Sequence, residues 1–165
     1  MVRFRFEFMD KSRKEEWLPR LFEILHANMD HIAPRGLGYD EDRTQWLSAV
    51  SPAIEKAPRQ IILMFAENTL VGFLQYYVNG NFFMVEEIQI DSQYQGTTLL
   101  YSLIRFLCAV LPEEAETIGA YAHKKNLRSQ NVIRKLGLEK APEKDDGDFE
   151  FYRGDLRPIK VKFCG

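Results

Sequence analysis

This sequence has few cysteines, nearly balanced charge and no long apolar run, and each of these features excludes a class of protein. Lys and Arg number 22 against 24 Asp and Glu in 165 residues, so no basic field indicates a nucleic acid or an anionic membrane as partner. The longest apolar stretch, residues 99–111, contains Arg105 and falls short of the ~20 residues that span a bilayer. The first residues lack the apolar core of a signal peptide. From two cysteines, Cys108 and Cys164, we expect neither a disulfide framework nor a metal site, and a reducing cytoplasm.

Internal repeats, low-complexity tracts and interdomain linkers are missing too. No Gly-Lys-Ser/Thr follows a glycine turn, and the dinucleotide-binding fingerprint is absent, which excludes two common nucleotide-binding loops. What is present is a globular composition, with 45% apolar and 28% charged residues. A chain of this length buries a substantial core, so residues 1–165 are predicted to form a single domain.

Hydrophobic periodicity predicts an alternation of strands and helices. The predicted strands are residues 2–8, 60–66, 70–78, 82–90, 117–123, 138–141 and 149–153, and the predicted helices are 13–29, 41–54, 97–111 and 126–136. We expect Pro52 to bend or divide the second helix. Asn126 is expected to cap the last helix and Gly137 to end it in a left-handed conformation. The strand-helix-strand unit between 82 and 123 is a right-handed crossover, which makes its two strands parallel neighbours. The other strands are joined by tight turns. We therefore predict an α/β (α+β) fold, with a mixed, mainly antiparallel sheet of six to seven strands flanked by about four helices.

The turn after the strand 82–90 is a candidate anion site. Gln95-Gly96-Thr97-Thr98 stands where a strand ends and a helix begins. A helix N-terminus exposes unpaired backbone N–H groups, and the helix dipole favours an anion there. The same residues also describe a plain turn with a threonine cap, and this stretch alone favours that simpler interpretation.

The stretch "NLRSQNVIRKLGLEK", residues 126–140, changes that balance. It resembles the helix motif of the GNAT superfamily of acyl-CoA-dependent N-acetyltransferases, and the matching positions are Asn126, Ser129, Val132, Lys135, Leu136, Gly137 and Leu138. The predicted element order is similar to that family from end to end. Ser129 with Ile133 looks most like the branch that acetylates protein N-termini and small amines.

The resemblance implies acetyl-CoA as cosubstrate, with its pantetheine arm in a gap beside the strand 82–90. Of the family's phosphate-loop pattern Gln95 and the preceding Tyr94 match, and Gly96 matches a common extra glycine. Thr98 and Leu100 replace small residues, which lowers the expected cofactor affinity. The implied cofactor-binding residues are Ile88, Gln89 and Ile90 on the strand, Gln95, Gly96, Thr97, Thr98, Leu99 and Leu100 at the turn, and Asn126 and Ser129 on the later helix.

Glu86 and Glu87 are the candidate catalytic bases. Amine acetylation needs a neutral nucleophile, so a base must take a proton from the ammonium. Side chains alternate along a strand, which places Glu86 beside Met84 and Ile88 and turns Glu87 to the other face. A carboxylate among apolar neighbours has a raised pKa. Glu86 is slightly preferred, a bulge would exchange the faces, and one of the two is expected to be a solvated strand residue.

Proton transfer has further candidates. His123 ends the next strand and is either a base or acid at the cleft or a surface residue. The tyrosine that many family members use as general acid is replaced by Ile133. Tyr101, Tyr121 and Tyr152 are possible substitutes, and unassisted departure of the thiolate is the other option.

The acceptor is an amine that the sequence does not identify. Acidic clusters lie in residues 30–46 and 143–148, which suits a cationic amine or simply describes solvated loops. The resulting expectation is transfer of an acetyl group from acetyl-CoA to a primary amine of a small molecule or peptide, by direct attack in a ternary complex. The alternative is a catalytically impaired GNAT-fold protein that binds acyl-CoA or serves as an interaction module. Expected partners are acetyl-CoA and the amine acceptor, without nucleic acid or membrane; a homodimer, common in the family, is left open.

Overall fold

Seven strands lie side by side in one sheet of the computed structural model, which describes residues 1–56 and 58–165. They are β1 (Phe4–Phe8), β2 (Gln60–Ala66), β3 (Thr69–Asn79), β4 (Phe82–Ile90), β5 (Thr117–His123), β6 (Glu139–Lys140) and β7 (Phe149–Asp155). The order in the sheet is β1-β2-β3-β4-β5-β7-β6. Among the described strand pairs, β4 with β5 is the parallel one and the others are antiparallel. The predicted mixed, mainly antiparallel sheet is confirmed.

Five α-helices pack against this sheet within the described part of the chain. They are α1 (Lys14–Met29), α2 (Tyr39–Glu55), α3 (Leu99–Val110), α4 (Leu127–Lys135) and α5 (Arg157–Cys164). The first four were predicted. Pro52, expected to bend or divide α2, lies inside one helix. None of the helices in the described residues is long and apolar enough to cross a membrane.

Alternation along the strands gives the sheet two apolar faces. Leu74, Phe83 and Leu103 belong to the core under α3 and α5, which we call the α3–α5 face. Leu21 and Phe73 belong to the core under α1 and α2, the α1–α2 face. Neighbouring residues of β3 thus serve opposite cores, as the period of two requires.

A bulge in β4 and a separation of β4 from β5 shape the centre of the sheet. Gln75 pairs with Glu87 while the next residue, Tyr76, pairs with Val85, so Glu86 is an extra residue without a partner in the ladder. The parallel ladder runs from Phe82 to Val85 of β4. Beyond Val85 the two strands diverge and leave a gap between residues 86–90 and 121–123.

The two cysteines are paired, which corrects the expectation that they would not form a disulfide. Cys108 of α3 and Cys164 of α5 are bonded, with their Cα atoms 5.6 Å apart. The pairing depends on α5, which the periodicity did not predict. Ile159 of this helix is buried, and Phe163 packs edge-on against Tyr101 of α3. These contacts bring the last turn of α5 next to Cys108.

Candidate active site

The gap between β4 and β5 brings polar side chains from three elements together on the α1–α2 face. Glu87 and Gln89 come from β4, and Asn28 reaches Gln89 from α1. On β5, Tyr121 and His123 alternate with Ala120 and Ala122, which belong to the α3–α5 core. Tyr121 and His123 therefore lie on the same face as the β4 carboxylates.

Glu86, the extra residue of the bulge, is held in an ion pair. Both of its carboxylate oxygens accept from Nε of Arg59, at 2.8 and 3.0 Å. The Arg59 guanidinium also lies 5.5 Å from the ring centroid of Tyr77. The hydrogen bond with Glu86 raises the pKa of Arg59. Glu86 is thus a neutralised carboxylate with a fixed partner.

Glu87 has a different environment, although it is the next residue. Its Oε1 accepts a hydrogen bond of 2.7 Å from Nε2 of Gln89. Burial raises the pKa of Glu87 to about 7, against the smaller lowering effect of the Gln89 bond. The residue as a whole is partly exposed, while its carboxyl group lies in a desolvated environment. A group that is half ionised near neutral pH can both take and return a proton.

The expected placement of the two glutamates on opposite faces is wrong. The bulge, left open as an alternative, turns both toward the α1–α2 face: Glu86 contacts Arg59 over Tyr77, and Glu87 contacts Gln89 beneath α1. Strand alternation alone does not reveal where a ladder slips by one residue.

His123 lies at the end of β5, as predicted, with one ring nitrogen engaged. Its Nδ1 accepts from the backbone N–H of Lys125 at 3.1 Å, and its ring stands edge-on to Phe149. With Nδ1 engaged as an acceptor, Nε2 is the ring nitrogen left to donate a hydrogen bond.

The three tyrosines considered as general acids are differently placed. Tyr152 is fully buried, and its hydroxyl donates to Glu150 at 2.9 Å. The hydroxyl of Tyr121 donates to the carbonyl of Lys144 at 3.0 Å. Tyr101 packs against α5, away from the gap. Tyr121 is the one that shares the α1–α2 face with Glu87.

The turn after β4 is built around Gly96 and Thr97. Gly96 has φ +76°, a conformation that glycine adopts without steric cost. The Thr97 hydroxyl donates to the carbonyl of Tyr94 at 2.5 Å and accepts from the N–H of Leu99 at 3.3 Å. Thr98 stands at the N-cap position without a side-chain cap. Helix α3 therefore begins at Leu99, two residues later than predicted, and its other first-turn N–H groups have no helical partner.

Arg128 is a candidate binding residue that the sequence reasoning missed. A Cβ atom added to Gly96 would lie 3.2 Å from a terminal nitrogen of the Arg128 guanidinium, so this cation lies directly against the turn. Arg128 sits inside the motif at the start of α4, but only the tertiary fold brings it to Gly96, 32 positions earlier in the sequence. A guanidinium next to free N–H groups is suited to phosphate oxygens.

The start of α4 is fixed as predicted. Asn126 caps the helix by accepting from the N–H of Ser129 at 3.1 Å, and Gly137 ends it with φ +91°. Gln130 is buried and donates to the carbonyls of His123 and Lys124. These bonds attach α4 to the end of β5.

Most of the acidic residues in the two clusters, residues 30–46 and 143–148, already have partners. Asp42 accepts from Arg35 at 2.8 Å, and Asp148 pairs with Lys124 at 2.6 Å. Asp145 accepts from the backbone N–H of Phe151 at 2.8 Å. Much of the clustered negative charge therefore stabilises loops.

Comparison with known proteins identifies the family. The model of the acetyltransferase (GNAT) family matches residues 16–138, about three quarters of the chain. No curated protein matches the sequence significantly.

Solved structures share the fold at low sequence identity. An acetyltransferase from Thermus thermophilus has a TM-score of 0.69 and 19% identity, covering 93% of this chain and 97% of that one. The PaiA N-acetyltransferase from Thermoplasma acidophilum, in complex with coenzyme A, has a TM-score of 0.67 and 14% identity, covering 93% and 99%. The ribosomal-protein α-N-acetyltransferase RimL, also in complex with coenzyme A, has a TM-score of 0.61 and 14% identity, covering 92% and 93%. With the family model matching most of its length, the chain belongs to the GNAT family of acetyltransferases.

Proposed function

We propose that this acetyltransferase transfers an acetyl group from acetyl-CoA to a primary amine of a small molecule or peptide, by direct attack in a ternary complex. The observation that carries the proposal is Glu87, a carboxyl with a pKa raised to about 7 at the gap between the diverging strands. An ammonium acceptor has no lone pair, and a group of this pKa takes its proton near neutral pH.

Three features support acetyl-CoA as the donor. The N-terminus of α3 offers backbone N–H groups to the pyrophosphate, and Arg128 lies beside them. The β4 edge, left by β5 beyond Val85, can bond the pantetheine arm as an added strand does. Ile88, Gln89 and Ile90 lie along that edge. Two structures of similar fold hold coenzyme A.

The proposed roles favour Glu87 as the base, whereas the sequence alone slightly favoured Glu86. Glu87 is the base, acting directly or through water, because no cation among the described residues pairs with it and its pKa is about 7. Glu86 keeps its charge paired with Arg59. A backbone N–H of β4 stabilises the tetrahedral oxyanion. His123 is the proposed hydrogen-bond donor to the departing thiolate, since Nδ1 is engaged by the N–H of Lys125 and Nε2 is left to donate. The thiolate then takes its proton from water.

The second candidate is an acyl-CoA-binding or interaction module without catalysis. Ile133 favours it, because this residue replaces the tyrosine acid of many family members and has no proton to donate. This module would bind acetyl-CoA and acetylate no amine.

The proposal includes a single domain over residues 1–165 and a cytoplasmic location, and it leaves open whether the protein is a homodimer. Disulfides are rare in the reducing cytoplasm. The oxidation state of Cys108 and Cys164 in intact cells therefore tests the location.

The deciding experiment compares Glu87→Gln with Glu86→Gln. In the wild type, kcat should rise with pH through about 7. Glu87→Gln should remove that rise and lower kcat by about 100-fold or more, with an unchanged Kd for acetyl-CoA by calorimetry. Glu86→Gln is the matched control, with the same chemical change one residue away, and should keep the rise. An intact acidic limb in Glu87→Gln would leave His123 or bulk water as the base. Tight acetyl-CoA binding with no turnover of any amine in a panel would support the second candidate.

A further inference from the structure

The carbonyl of Ile90 accepts hydrogen bonds from two side-chain amides. Asn28 of α1 donates through Nδ2 at 2.8 Å, and Gln95 of the turn donates through Nε2 at 2.8 Å. A backbone carbonyl is an acceptor in every state of the protein. The amide of Asn28 must therefore turn its NH₂ group toward Ile90, and its orientation is not arbitrary.

The orientation of Asn28 determines that of Gln89. The same Nδ2 of Asn28 donates to Oε1 of Gln89 at 3.0 Å, and Nε2 of Gln89 donates to Glu87 at 2.7 Å. If Gln89 rotated its amide by 180°, two NH₂ groups would face each other at Asn28. Asn28 is 7% exposed and Gln89 8% exposed, so bulk water cannot replace a lost partner at low cost.

We propose that Asn28 and Gln89 are positioning residues for Glu87: the Ile90 carbonyl orients Asn28, Asn28 orients Gln89, and Gln89 thereby presents a donor to the Glu87 carboxylate. The inference rests on the proposed role of Glu87 as base. It assigns to α1 a direct influence on the ionisation of the base.

The donor-to-acceptor direction of these hydrogen bonds decides whether the ionised or the protonated form of Glu87 is favoured. An N–H donor stabilises the carboxylate, whereas a carbonyl oxygen in the same place would stabilise the protonated acid. Desolvation pulls the pKa of Glu87 upward and the Gln89 bond opposes it, with no charged neighbour contributing. The ionisable side chains on the elements around this stretch are Tyr76 and Tyr77 of β3, Tyr121 and His123 of β5, His26 and Asp30 at the end of α1, and the Arg59–Glu86 pair. The hydrogen-bond chain is thus the feature that keeps the base ionisable near neutral pH.

The test is the pKa of Glu87, measured by carbon-13 NMR on protein with labelled glutamate and assigned with Glu87→Gln. Gln89→Leu removes the donor and should raise the pKa by about 1 unit or more, the size of a hydrogen bond to a charged group. Asn28→Leu leaves Gln89 in place but frees its amide to rotate, and should raise the pKa in the same direction. In the double variant the two effects should not add, because both act through one bond. The acidic limb of kcat should move with the pKa.

Gln130→Leu is the matched control, since it also removes a buried glutamine that donates two hydrogen bonds. It should lower the melting temperature and leave the pKa of Glu87 near 7. An unchanged pKa in folded Asn28→Leu, or additive shifts in the double variant, would overturn the inference. The pKa is measured without substrate, so the outcome is independent of the proposed reaction. A shifted pKa together with full activity of Glu87→Gln would refute Glu87 as the base and leave the positioning chain standing.

Discussion

Replacing Cys164 by serine should destabilise the oxidised protein by about 4 kcal/mol. Cys108 and Cys164 are 56 residues apart, and a cross-link of that span removes about 14 cal/mol/K of chain entropy from the unfolded state. The native state should survive the change, because α5 has other attachments. Ile159 is buried, and Lys160 donates to the carbonyls of Ala115 at 2.6 Å and Glu113 at 3.1 Å.

Thermal unfolding with and without a thiol reductant measures the effect. For a domain of this size each kcal/mol corresponds to roughly 2–4 °C, so reduction should lower Tm by roughly 10 °C. Cys164→Ser should unfold at the temperature of the reduced wild type and be insensitive to reductant. Alkylation of both thiols in protein purified without reductant would refute the pairing. An equal Tm for the variant and the oxidised wild type would refute the entropic reasoning.

Two more predictions concern the candidate site. Gly96→Ala and Gly80→Ala both place alanine at positive φ and should each cost roughly 1–2 kcal/mol of stability. Only Gly96→Ala also crowds the Arg128 guanidinium, so calorimetry should show about a tenfold weaker Kd for acetyl-CoA in this variant and not in Gly80→Ala. Equal Kd values in the two variants would show that Arg128 does not contact the phosphates. For Glu87 the folded pKa of about 7 exceeds the ordinary 4.5, so its contribution to stability is present below pH 4.5 and lost as pH rises through 7. The free energy of unfolding of Glu87→Gln, measured with urea, should therefore increase by about 3 kcal/mol relative to that of the wild type between pH 4 and 8. A difference that stays constant with pH would contradict the raised pKa.

Features that depend on neighbouring residues were predictable from the sequence. Asn126 as a helix cap and Gly137 as a left-handed stop are both present, because each needs only the backbone of its own turn. The parallel pair of β4 and β5 followed from the handedness of crossovers. These rules act within a few residues or on the connectivity alone.

Features that depend on packing between distant segments were not predictable in the same way. Helix α5 has eight residues, too few for stability without tertiary contacts, and its disulfide follows from where it docks. Arg128 lies against Gly96 although the two are 32 positions apart in the sequence. The hydrogen bonds that link Asn28 through Gln89 to Glu87 join residues about 60 positions apart.

The adjacent glutamates and the bulge in β4 explain each other. In a regular strand neighbouring side chains point to opposite faces, so one carboxylate would enter the apolar α3–α5 face beside Val85 and Ile88. An unpaired carboxylate there would be protonated or would cost several kcal/mol. The extra residue turns both to the α1–α2 face, where Arg59 neutralises Glu86 and Gln89 bonds Glu87. Two carboxylates at this point of β4 are compatible with the sheet because the ladder slips by one residue, and that slip leaves one paired and the other able to exchange a proton.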